Sequence, residues 1–138
     1  MLCRHTNIII RHLTQDVPAR AEEARAFLKQ VESGAVTAHM TEAVLVEAVQ
    51  VLSSPRTYGV ARDVVAQDLS VLLGLRGLRI PAKGMYVQAL ELWAGSSVDF
   101  PDALSVAYMR RHGLSSIATF DRDFDRFPGI SRRDLTLL

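Results

Sequence analysis

Along this chain, stretches in which apolar residues recur at helical spacing alternate with apolar runs short enough to be brief strands. Leu2-Cys3 predicts a very short first strand, and Asn7 to Leu13 predicts a helix or turn. The Ala-, Glu- and Arg-rich segment from Pro18 through Val31 predicts a helix that opens on its proline and closes before Gly34. Ala35 to Ala38 is a strand candidate. Thr41 then caps an apolar helix reaching Leu52, which Ser53-Ser54-Pro55 ends. Further helices are predicted over Val60 to Leu73, Gly84 to Trp93, and Pro101 to Arg111, the last stopping at Gly113. Leu78 to Ile80, Ser116 to Thr119 and Leu135 to Leu138 complete the strand candidates. Short strands each followed by a helix predict an α/β fold with a small parallel sheet and helices on both faces. No linker, repeat or low-complexity segment breaks the pattern, so residues 1–138 are expected to form one domain.

Composition adds bounds rather than identity. With 138 residues, 49% of them hydrophobic, the chain has enough apolar material for a real core. Sixteen basic and 15 acidic side chains leave a net charge of +1, so no global basic field advertises nucleic acid, although a local basic rim suffices for binding. The lone Cys3 has no partner for an internal disulfide, which suits a reducing cytoplasm. No uncharged run is long enough to cross a bilayer, and none reads as a secretion signal, so a cytoplasmic protein with no membrane partner is expected.

The candidate chemistry is acidic. Asp99 and Asp102 flank Pro101 at a helix start, and Asp121 follows the apolar Ile117-Ala-Thr-Phe run. In a parallel α/β fold both places lie at the carboxyl edge of the sheet, where sites form. Carboxylates gathered there repel unless a hard cation neutralises them, and Mg²⁺ or Mn²⁺ is the natural occupant. Each acid also has an ordinary explanation. Asp99 fits a helix N-cap, Asp102 a first-turn acid, and Asp121 a turn residue. Asp123 and Asp125 fall in a charged run that reads as a solvated loop. Glu42 complements a helix dipole. Glu47 shares a helix face with Val44 and Val51, so it needs a partner, a metal or a partly solvated edge. The four histidines show no metal-ligand spacing, and there is no nucleophile elbow, P-loop or dinucleotide glycine pattern.

Taken in order, His5-Thr6-Asn7, Glu47 on its apolar helix, Asp102-Ala103-Leu104, and Thr119-Phe120-Asp121 with Phe124 resemble the PIN domain, and more narrowly the VapC-type toxins of toxin–antitoxin pairs. The resemblance runs from Ile8 through the closing Phe127-Pro128-Gly129-Ile130. It implies a three-layer α/β/α sandwich around a small parallel sheet. It also implies an endoribonuclease dependent on Mg²⁺ or Mn²⁺, acting on RNA, a homodimer, and inhibition by a cognate antitoxin protein in a type II system. Carried onto this sequence, Glu47, Asp102 and Asp121 are the metal-binding and catalytic acids. Asn7 and Thr119 are polar neighbours of the site, and Asp99 stands behind it. His5 is a departure, since the family has an aspartate there. It removes an anionic oxygen and supplies a nitrogen that Mn²⁺ accepts better than Mg²⁺ does. Two readings follow: a working toxin weakened at His5, or an impaired PIN fold that keeps antitoxin and RNA binding. An unrelated α/β domain whose acids are helix caps is a third. His5, Glu47, Asp102 and Asp121 are expected to converge on one pocket, with Arg4 or Arg11 as phosphate contacts. The apolar helices around Val44 to Leu52 and Val64 to Leu75 are expected to leave a dimer surface.

Overall fold

A computed structural model describes residues 2–3, 6–133 and 135–137, and the side chains of 8–133, 135 and 136. The chain forms two compact units, Met1–Lys83 and Gly84–Leu138. In the first unit the order is β1 (Leu2–Cys3), α1 (Thr6–Thr14), α2 (Pro18–Ser33), β2 (Ala38–His39), α3 (Glu42–Ser53), α4 (Arg62–Leu73) and β3 (Leu78–Arg79). β2 is central and parallel to both neighbours, pairing Leu2 with Ala38 and Ala38 with Leu78. Helices intervene between every two strands, as parallel pairing requires.

Local chemistry explains the element ends. Pro18 occupies the first turn of α2, where a missing N–H costs nothing, and Gly34 returns its N–H to the Val31 carbonyl. The Thr41 hydroxyl accepts the Val44 N–H and so caps α3. Ile9 and Ile10 of α1, Leu28 and Val31 of α2, Leu45 and Val49 of α3, and Leu69 and Leu73 of α4 are buried. α1 packs on α2 and α3, and α3 on α4. Of the apolar surface expected to drive dimerisation, Val44, Val46, Val51 and Leu75 are half-buried, and on α4 Val64 and Val71 are exposed. Glu47 is exposed on α3, whose buried side is Leu45, Ala48, Val49 and Leu52. Of the readings open for Glu47, the solvated edge is the one observed. Val44 and Val51 are themselves only half-buried, so their apolar spacing marks the flank of the helix.

The second unit holds α5 (Lys83–Ala94, counted from its second residue), α6 (Phe100–Arg111), β4 (Ser116–Ile117), a 3₁₀ turn (Arg122–Arg126), β5 (Ser131–Arg132) and a closing 3₁₀ turn (Leu135–Leu137). β4 and β5 pair in parallel. Trp93 and Phe100 meet edge to face, ring centres 6.0 Å apart, across the α5–α6 connection. The last strand differs from the expected Leu135 to Leu138. Gly129, at φ 81°, turns the chain so that Ser131 and Arg133 reach the carbonyls of Ser115 and Ile117, each at 2.8 Å. Pairing is spent before the leucines, which turn instead; Leu138 lies outside the described residues. Among the described residues no helix is long and apolar enough to cross a membrane.

Gly77 joins α2, β2 and β3. It donates its N–H to the Val31 carbonyl at 2.8 Å and accepts from Ala38 at 2.9 Å. A Cβ there would overlap the Val36 carbonyl oxygen and lie 2.6 Å from that of Val31, both backbone atoms with little room to yield. Gly77→Ala should lower stability by roughly 1–3 kcal/mol in urea unfolding. A pH-dependent contribution comes from Asp16, just beyond α1, which accepts from Tyr58 at 2.6 Å and from Arg11 and Thr14 at 3.0 Å. These bonds, led by Tyr58, hold its carboxyl down at about 2, against an ordinary 3.8. A depressed carboxyl stabilises the fold above its unfolded value and loses that effect as pH falls through its folded one. Asp16→Asn should therefore be less stable than the parent at pH 7, with the gap closing between pH 3.8 and about 2 in pH-resolved thermal melts.

Candidate metal centre

Two segments of the second unit bring carboxylates together. The first is the start of α6, where the Asp99 carbonyl accepts the amides of Asp102 and Ala103, both at 3.1 Å. Buried Phe100, Ala103 and Val106 fix this first turn in place and leave Asp102 half-buried. The second segment follows β4. There the Thr119 hydroxyl accepts the Asp121 N–H at 3.1 Å, and Asp121 Oδ1 accepts the Asp123 N–H at 2.9 Å. This double turn opens the 3₁₀ segment, anchored by buried Phe124 and Phe127.

Carboxylate oxygens of Asp102, Asp121 and Asp123 consequently lie within 4.8 Å of one another. Like charges at about 4 Å repel by roughly 1 kcal/mol in water and about 4 kcal/mol near a protein surface. Two cations offset part of this: Arg126 is 3.4 Å from Asp123 and also donates to Ser97, and the charge of Arg132 acts on Asp121. One ion pair and the charge of an arginine bound to Asp125 do not balance three carboxylates. Asp102 registers the imbalance, its carboxyl pushed above the usual 3.8 by burial first and then by the charges of Asp121, Asp99 and Asp123.

The donor set fits a hard dication. Every ligand atom is a carboxylate oxygen, the class that Mg²⁺ and Mn²⁺ prefer. Oxygens around an octahedral Mg²⁺ lie about 3–4 Å apart, so the cluster is a small side-chain movement from ligating distance.

Of the acids expected at the site, Asp102 and Asp121 are brought together, and Asp99 is near enough for its charge to act on Asp102. Asp99 stands at the N-cap position but its side chain makes no capping bond, which leaves its charge uncommitted to the helix end. Thr119 orients the backbone of Asp121. Asp123, expected to be solvated in a loop, is half-buried within the cluster, because the 3₁₀ turn folds it back beside Asp121. The spacing Asp121-Arg-Asp123 is the signal that could have identified it. Asp125, in contrast, is exposed and engaged by Arg132 at 2.9 and 3.2 Å. Glu47 belongs to the first unit. His5 lies outside the described residues, as does Arg4, and only the backbone of Asn7 is described. Arg11, expected as a phosphate contact, is bound to both oxygens of Asp16.

A family model for the PIN domain matches residues 5–130, a span that runs through both units and includes all three clustered aspartates. The chain belongs to the PIN domain family. It is also similar to two curated relatives, each called Ribonuclease VapC48, from Mycobacterium tuberculosis strains CDC 1551 / Oshkosh and ATCC 25618 / H37Rv. Identity to each is 56% over 34 residues, a stretch that covers 25% of this chain and 23% of the relative.

The repulsion predicts an inverted stability effect. A carboxyl whose folded pKa is raised destabilises the fold when ionised, and the penalty disappears as pH falls toward 3.8. In EDTA at neutral pH, Asp102→Asn should melt about 1–4 °C above the parent, and the advantage should vanish under acid conditions. A lower melting point for the variant at neutral pH would mean that Asp102 is a structural anchor.

Proposed function

We propose that this chain is a metal-dependent endoribonuclease, the toxin of a type II toxin–antitoxin pair, acting in the cytoplasm as a homodimer held in check by an antitoxin protein. The carboxylate cluster at the start of α6 and after β4 carries this reading, inside a family match that includes it. The same match supports treating the two units as parts of one domain. Similarity to a protein named a ribonuclease supports RNA as substrate, and exposed Val64 and Val71 support a protein contact on α4.

Asp102, Asp121 and Asp123 are the residues that would hold Mg²⁺ or Mn²⁺. A bound dication supplies Lewis-acid polarisation of a phosphate oxygen and a lowered pKa for water. The protein's own part is positional and basic. Thr119 and the 3₁₀ turn hold Asp121 and Asp123 in fixed relation, so their negative charge is pre-placed. One of these carboxylates would accept the proton of an attacking water at a carboxylate oxygen. Asp99 adds its charge beside Asp102.

His5 favours a second, narrower reading: an attenuated enzyme that keeps its antitoxin and RNA surfaces. An imidazole nitrogen replaces one of four expected anionic oxygens. Mg²⁺ binding then weakens more than Mn²⁺ binding, because Mn²⁺ tolerates nitrogen. His5→Asp should tighten Mg²⁺ binding and raise cleavage of a mixed RNA pool by on the order of a hundredfold, with a smaller gain in Mn²⁺. Equal Mg²⁺ affinity and equal cleavage rates in the two proteins would sink the attenuation reading. No cleavage by either protein in either metal would sink the ribonuclease reading as well.

A further inference from the structure

One aromatic side chain beside the carboxylate cluster has no role in folding. Phe120 is 86% exposed, well beyond the next most exposed large hydrophobic, Val71 at 65%. It stands between Thr119 and Asp121, the pair whose hydrogen bond sets the second arm of the cluster. Leaving a phenyl ring in water forgoes the stabilisation that burial gives, so it calls for a ligand or partner.

The surroundings indicate which. Phe120 lines a cavity of about 560 Å³ together with Thr119, Asp125, Ile130, Arg132 and Arg133. Thr119 is therefore a wall shared by this cavity and the carboxylate cluster. Arg132 is committed to Asp125 through two bonds. Arg133 is exposed and makes no ion pair among the described residues, while its backbone N–H is held by the Ile117 carbonyl at 2.8 Å. The cavity thus combines an open aromatic face, a guanidinium that forms no ion pair among the described residues, and hydroxyls at Thr119, Ser131 and Thr136, of which Thr119 and Ser131 are hydrogen-bonded to backbone. Its volume falls in the range of roughly 300–1,000 Å³ typical of small-ligand sites. An aromatic face with an adjoining cation is the arrangement that binds single-stranded nucleic acid, by stacking a base and contacting a phosphate. A protein partner would also use the ring, but two arginines against one aspartate in the lining favour a polyanion.

We propose that Phe120 and Arg133 form a subsite for one unpaired nucleotide flanking the cleaved phosphate, Phe120 stacking on its base and Arg133 contacting its phosphate. The subsite rests on the ribonuclease reading and adds to it a place where the enzyme demands single-stranded RNA and holds its register.

The test uses the full chain on an Asp121→Asn background with Mg²⁺, so that RNA stays intact. The probe is an unstructured fluorescent oligoribonucleotide, alongside the same backbone lacking bases and a matched duplex. Phe120→Ala should raise Kd for the single strand roughly 5- to 150-fold and leave the baseless backbone unaffected, while Phe120→Trp should restore binding. Arg133→Ala should weaken the single strand and the baseless backbone alike, and flatten the salt dependence by about 0.7 in log–log slope. Both side chains are exposed, so the variants should melt like the parent. Phe120→Ala binding the single strand as tightly as the parent would overturn the subsite and leave the ribonuclease reading standing. A parent that distinguishes none of the three probes from buffer would remove both. Unchanged RNA binding with a shift from dimer to monomer in light scattering would assign Phe120 to a protein interface and overturn the subsite.

Discussion

The second unit is organised around a repulsion it does little to relieve. Asp102, Asp121 and Asp123 sit within 4.8 Å of one another, and among the described residues Arg126 alone forms an ion pair with the cluster. A fold optimised only for stability would separate these groups or pair each with a cation. Instead, hydrogen bonds from backbone amides fix two of them, and a proline-led helix start fixes the third. The energy stored in this cluster is what a dication would release on binding, which makes the same geometry a cost without metal and a site with it.

The fold around the cluster uses very little sheet. Strands of two residues each are enough, because the helices carry most of the buried surface and the strands serve mainly to set direction. Parallel pairing matters more than strand length. It delivers the chain after β4 into the turn that holds Asp121, and it brings β5 back beside β4 with Arg133 at its end. Asp121 and Asp123 stand in the segment beyond β4, and Asp102 in the first turn of α6.

Helices are the most legible part of the sequence, because Pro18, Thr41 and Pro101 mark starts and the apolar period is long enough to count. Asp102 and Asp121 stand out because a helix start and a strand end are places where carboxylates meet. Asp123 is hidden, since a 3₁₀ turn has too few residues to show a period and its acids look like a solvated run. The final strand is misleading for a related reason: leucines suggest apolar pairing, but the turn at Gly129 brings polar Ser131 and Arg132 into register first. The solvated edge open to Glu47 in the sequence is where it stands, because Val44 and Val51 at its helical spacing lie on the flank of α3 and not in the core.

Family membership gives the cluster its meaning, and His5 gives this chain its individuality. The central claim is that the clustered aspartates hold a divalent cation. Titrating Mn²⁺ into the full chain with carboxyl-labelled aspartate and glutamate, and following paramagnetic broadening by NMR, tests it most directly. Broadening should begin at Asp102, Asp121 and Asp123, and excess Mg²⁺ should reverse it. Broadening spread evenly over exposed acids such as Glu22, Glu23 and Asp63, with no preference for the cluster, would contradict the account.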